Sequence, residues 1–171
     1  MDATKSFVKV YGISPEEAED FEFDFSVDSN DLLTELVPDL SKWEDIGWME
    51  LDEYEYNPRE QAMHFVLETK WLPPVSWLEH MSKSSFCFQN KLITMATISK
   101  DETLVTGVAV QDGEILQNKT IFKMSSQAVG KYYDDTYDQY ELDDLDNQIW
   151  DSIGNFLNIC KKFYLGGQDE D

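Results

Sequence analysis

Acidic side chains at short, regular spacing are the residues of this chain whose pattern points to chemistry, and the chemistry is electrostatic. In Phe21-Glu22-Phe23-Asp24-Phe25 rings and carboxylates alternate, so a strand sets Glu22 and Asp24 on one face and the Phe side chains on the other. Met49-Glu50-Leu51-Asp52-Glu53-Tyr54-Glu55-Tyr56 repeats the device less cleanly: alternation breaks at Glu53 and resumes, which predicts a β-bulge. Glu44 and Asp45 stand between Trp43 and Trp48, and Asp143, Asp144, Asp146 and Asp151 fall on the polar side of a helical pattern. Carboxylates two apart on a strand are separated by about 6.6 Å, and those three or four apart on a helix by about 5–6 Å. That is the spacing scale of nucleic-acid phosphates, and duplex DNA carries one charge per about 1.7 Å of axis. These acids form the candidate partner-binding set.

Other chemistries find little support in the residues. His64 and His80 make no HxxxH pair, and Cys87 and Cys160 complete no zinc spacing. Asp144-Leu145-Asp146-Asn147-Gln148 opens like a calcium loop but lacks the central Gly, and its twelfth position is Asn155; Asp28-Ser29-Asn30-Asp31 fails the same test. No nucleophile elbow marks a catalytic triad, and Gly166-Gly167 follows a helix instead of opening one, as a phosphate loop would. No catalytic residue, metal or cofactor is expected, and the chain reads as a non-enzyme.

The elements that must carry these acids come from a chain of 171 residues, 42% apolar and 13% aromatic, enough for one core and too short for two ordinary domains. Thirty-five acids against 13 bases give a net charge of -22, which repels nucleic acid and anionic membrane surfaces and attracts a basic protein. The charge is uneven. Residues 16–60 hold 17 acids and two bases, residues 61–131 six acids and seven lysines, and residues 132–151 eight acids and no base. A single domain over 1–171 is expected, with an acidic section (1–60), a neutral core (61–131) and an acidic helix and tail (132–171). Two cysteines without CxxC spacing fit a reducing compartment. Neither a signal sequence nor a run of 18 apolar residues is visible, so the cytoplasm is the expected location.

Lys5–Tyr11 reads as a first strand, and Ser14-Pro15-Glu16-Glu17 as an N-cap, a first-position Pro and an acidic first turn. Ser29 or Asn30 caps a short helix through Leu36, stopped by Pro38. Met63–Lys70 reads as a central strand, and Ser76–Ser82 as a helix with Val75, Leu78 and Met81 turned inward. Leu92–Ile98 and Leu104–Val110 are β-branched runs, and Asp112-Gly113 predicts a hairpin into Glu114–Leu116. Leu142, Leu145, Ile149, Ile153, Phe156, Cys160 and Phe163 form the stripe of a long C-terminal helix ended by Gly166. Helices among antiparallel strands make the class α+β. Trp43, Trp48, Tyr54, Tyr56, Tyr133 and Tyr137 are candidate exposed anchors beside the acids.

The stretch His64-Phe65-Val66-Leu67-Glu68-Thr69-Lys70-Trp71-Leu72-Pro73-Pro74, with Trp77-Leu78, the Leu92–Ile98 run and Gly107 before Asp112-Gly113, resembles the ferredoxin-like domain family of uncharacterised phage and conjugative-plasmid proteins. The resemblance covers roughly residues 60–117, with Thr-x-Trp-x-Pro-Pro as its most specific part. It implies a split βαβ centre and a bacterial mobile element as source, and it implies no activity. Trp71, Pro73, Pro74 and Trp77 read as a packed strand-to-helix corner. Together with the charge, the expectation is a non-enzymatic binding protein that inhibits a basic, nucleic-acid-handling host protein, such as a defence nuclease, by nucleic-acid mimicry. The alternative is an immunity protein or antitoxin that neutralises a cognate toxin.

Overall fold

A computed structural model of the chain describes residues 4–20, 49–70, 72–84, 88–99, 103–134 and 136–166. The strand expected at 21–25, the helix expected from Ser29 or Asn30, and the candidates Glu22, Asp24, Glu44, Asp45, Trp43 and Trp48 lie outside the described residues.

The described chain is α+β: one six-stranded antiparallel sheet with helices on both faces. β1 (Thr4–Tyr11) alternates as its sequence requires, with Val8 and Val10 buried on one face and Lys5, Phe7 and Lys9 partly exposed on the other. Helix α1 (residues 15–20) starts behind Ser14, whose side chain accepts from the Glu17 backbone N–H at 3.1 Å while the Glu17 carboxylate accepts from the Ser14 N–H at 3.1 Å. This reciprocal pair satisfies two donors that the first helical turn leaves open.

β2 (Met49–Asn57) and β3 (Ala62–Thr69) form a hairpin; helix α2 (Val75–Ser84) follows the Pro73-Pro74 corner, with Leu78 and Met81 buried as the spacing predicts, Val75 half-buried and Trp77 buried beside them. β4 (Ile93–Ile98), β5 (Leu104–Gln111) and β6 (Glu114–Lys123) make the meander. Asp112 (φ 52°) and Gly113 (φ 79°) both lie in the left-handed region, as a primed hairpin turn needs. β6 runs well past the expected end at Leu116, because it is an edge strand whose polar run Gln117–Thr120 carries no alternation to read. Helix α3 (Ser126–Tyr133) was not legible either: it is two turns long and buries no residue fully, with Ala128, Val129 and Tyr132 half-buried.

The strand order β2-β3-β1-β4-β5-β6 puts the first strand near the middle. β3 and β4 are both antiparallel to β1, so they run in the same direction on either side of it, joined through α2. On one face, Ile13 and Ala18 of the α1 segment and Trp77, Leu78 and Met81 of α2 seal a core that reaches from Leu51 to Val110. On the other face, helix α4 (Gln139–Tyr164) buries Ile149, Ile153, Phe156 and Cys160 against β4 and β5 and the end of β1. Leu142 and Leu145 are only half-buried, and Phe163 is 73% exposed, contrary to the expected stripe; the next residue, Tyr164, packs on the sheet instead, its hydroxyl accepting from the Gln117 side chain at 3.0 Å. Burial pushes the Cys160 thiol up to about 11, partly countered by Lys119, so it is protonated and unreactive at neutral pH.

Candidate functional site

The strand β2 decides where the acids go. Glu50 pairs with Glu68 and Leu51 with Leu67, then the register shifts, so that Glu53 pairs with Val66, Tyr54 with Phe65 and Glu55 with His64. The bulge falls at Asp52, one residue before the break in alternation at Glu53. Its consequence is a change of parity: without the extra residue Glu53 and Glu55 would share the inner face with Leu51. With it, Glu50, Glu53 and Glu55 stand on one outward face, while Leu51, Tyr54 and Tyr56 pack on the core. Glu50, Asp52, Glu53 and Glu55 are all exposed, and among the described residues no Lys, Arg or His forms an ion pair with them. Tyr54 and Tyr56 are therefore not the exposed anchors expected; the Tyr56 hydroxyl donates to the Ile13 carbonyl at 2.8 Å.

Asp143, Asp144, Asp146 and Asp151 are likewise exposed, but α4 divides them. At 3.6 residues per turn, Asp143 and Asp146 lie on the flank of Trp150, whereas Asp144 and Asp151 lie about 100° further round. The Trp150 ring meets the Phe7 ring edge-on, centroids 5.0 Å apart at 72°, so this flank faces the β1 side of the sheet. The structure thus brings Glu50, Glu53 and Glu55 to the same face of the sheet as the flank bearing Asp143 and Asp146, and leaves Asp144 and Asp151 turned from it. Tyr137 is half-buried with the Lys131 ammonium 4.9 Å from its ring centroid, and Tyr133 is exposed.

Between the β2 acids and α4 lie residues the sequence reading had not assigned to a site: Lys5, Phe7, Lys9, His64, Val66 and Glu68. Trp150 offered one signal, since it sits one residue off the stripe position Ile149 and remains 43% exposed. Two ion pairs cross this floor, Lys5 to Glu68 at 3.6 Å and Lys9 to Glu60 at 2.9 Å. The hydrogen bond from Lys9 holds the Glu60 carboxyl below the ordinary range. Burial and the Lys9 charge hold His64 below its ordinary value, outweighing Glu60, whose carboxylate lies 3.7 Å away but is already matched by Lys9.

His64 is therefore neutral at pH 7. A base whose folded pKa is depressed contributes stability that is complete above its unfolded value, about 6.5, and is lost as pH falls below it toward the folded value. An NMR titration of the ring is expected to show a midpoint below that of histidine in an unfolded peptide; a midpoint above it would contradict this placement. Among the described residues no three His, Cys, Asp or Glu side chains converge as a metal site, and no helix is long and apolar enough to cross a membrane. Comparison with protein-family models, with curated proteins and with solved structures found no match.

Proposed function

We propose that this chain is a non-enzymatic acidic binding protein of a phage or plasmid that acts in the cytoplasm of the bacterial host. It inhibits a basic, nucleic-acid-handling protein, such as a defence nuclease, by occupying the site where that protein holds DNA or RNA. The observation that carries the reading is the row Glu50, Glu53 and Glu55, displayed on β2, the outermost of the described strands, by a bulge that turns Tyr54 and Tyr56 inward and the carboxylates outward. Charged residues also protect an edge strand from pairing with another sheet. Edge protection does not account for the whole charge, since a total of -22 exceeds the roughly 2 to 8 that serves solubility and strains the folded state by self-repulsion. Glu50 stands directly opposite Glu68, whose carboxylate Lys5 already engages at 3.6 Å, so Glu50 is the member of that pair left to a basic partner. A split βαβ centre belongs to the same reading: β3 and β4 run in the same direction with β1 between them and α2 connecting them, which supports it.

The test uses the tagged chain as bait in bacterial lysate, washed at low and then high salt. Nucleic-acid-binding proteins that leave with salt and are displaced by added DNA are the expected capture. One salt-resistant partner that DNA does not displace contradicts mimicry and points to the immunity or antitoxin role.

A further inference from the structure

The two faces of the sheet are covered unequally. One is sealed by α1 and α2 from β2 to β5, whereas α4 packs against β4, β5 and β6, touches β1 at Phe7 and Tyr11 and, among the described residues, leaves the strip from β2 through β3 to the near side of β1 open. Strands lie about 4.8 Å apart, so this strip is about 10 Å wide, the width of one helix or extended segment. Within it is a hollow of about 350 Å³ lined by the side chains of Phe7, Glu53, Glu55, His64 and Val66. Its floor is apolar, with Phe7 half-buried and Val66 buried; its β2 wall is anionic, and Trp150 stands beside Phe7 on the α4 side.

We propose that this hollow receives an arginine side chain of the basic partner, with the guanidinium at Glu53 and Glu55 and the aliphatic stem over Phe7 and Val66. The inference rests on the reading of the chain as a binder of a basic protein, and it names the contact. A guanidinium suits the place better than an ammonium, because it pairs with carboxylates through a planar fork and stacks on aromatic rings. The neighbouring cations do not compete, since Lys9 is engaged by Glu60 and Lys5 by Glu68, and His64 is neutral. The chain satisfies a cation of its own in the same manner: Lys131 lies over the Tyr137 ring and pairs with Glu141.

The probe is a synthetic helical peptide carrying four arginines on one side, and its twin with lysines, titrated at low salt and followed by NMR. The arginine peptide should move the Trp150 indole and His64 ring signals and bind more tightly than the lysine twin. Its affinity should fall about tenfold in Glu53→Gln/Glu55→Gln and stay within about twofold in Asp144→Asn/Asp151→Asn. Equal losses in both variants, or shifts that spare Trp150 and His64, overturn the hollow as the site while leaving charge capture of a basic protein standing. Failure of both peptides to bind overturns the hollow and the basic-partner reading together.

Discussion

Replacing Glu50, Asp52 and Glu55 together by lysine abolishes capture of the basic partner and leaves the fold standing. The three side chains are exposed and form no ion pair among the described residues, so their reversal removes no internal contact. Lysine at position 50 would in addition face Glu68 as an opposite charge, so the free energy of unfolding should change by no more than about 0.5 kcal/mol per substitution. Binding is different, because each reversal replaces an attraction with a repulsion at a surface already complementary to the partner. A loss of about a hundredfold or more is expected at low salt, shrinking as added salt screens both the lost attraction and the new repulsion. Circular dichroism and a binding titration on the same sample separate the two effects. A folded triple variant with unchanged affinity would remove β2 from the interface.

Gly107→Ala should destabilise the protein through one contact. A Cβ at position 107 would stand 2.8–2.9 Å from three ring carbons of Phe156, inside the roughly 3.5–4.0 Å at which carbon atoms attract. Phe156 is 2% exposed and locked between α4 and the sheet, so the ring cannot swing clear. Overpacking of this kind costs about 1–3 kcal/mol, and Phe156→Ala alone, which opens a cavity, about 3–5 kcal/mol. The double variant should be more stable than the sum of the two predicts, since the added methyl then occupies space the ring has left. Urea midpoints for the four proteins measure this coupling; strictly additive losses would show that the ring does not rest on Gly107.

Where local chemistry decides structure, the residues were readable. Ser14 and Glu17 announce a cap, Asp112-Gly113 a primed turn, and the broken alternation at Glu53 a bulge, and each stands in the fold as its physics requires. Tyr54 and Tyr56 show where this stops. Their inward placement depends on which side of the bulge faces the core, and that is settled by pairing with β3. The hollow was not readable for the same reason. Phe7, Val66 and Trp150 are far apart in sequence and meet only because β1 enters the sheet between β3 and β4. α3 and the outer half of β6 carry little buried surface, so no periodicity recorded them.

The central claim is that this chain occupies the nucleic-acid site of a basic protein. Its most direct measurement is the affinity of the captured protein for duplex DNA in the presence of rising amounts of this chain. The account predicts simple competition, with the apparent DNA dissociation constant rising in proportion to the chain added and the effect weakening steeply with salt. A ternary complex, with DNA affinity unchanged while this chain remains bound, would contradict it.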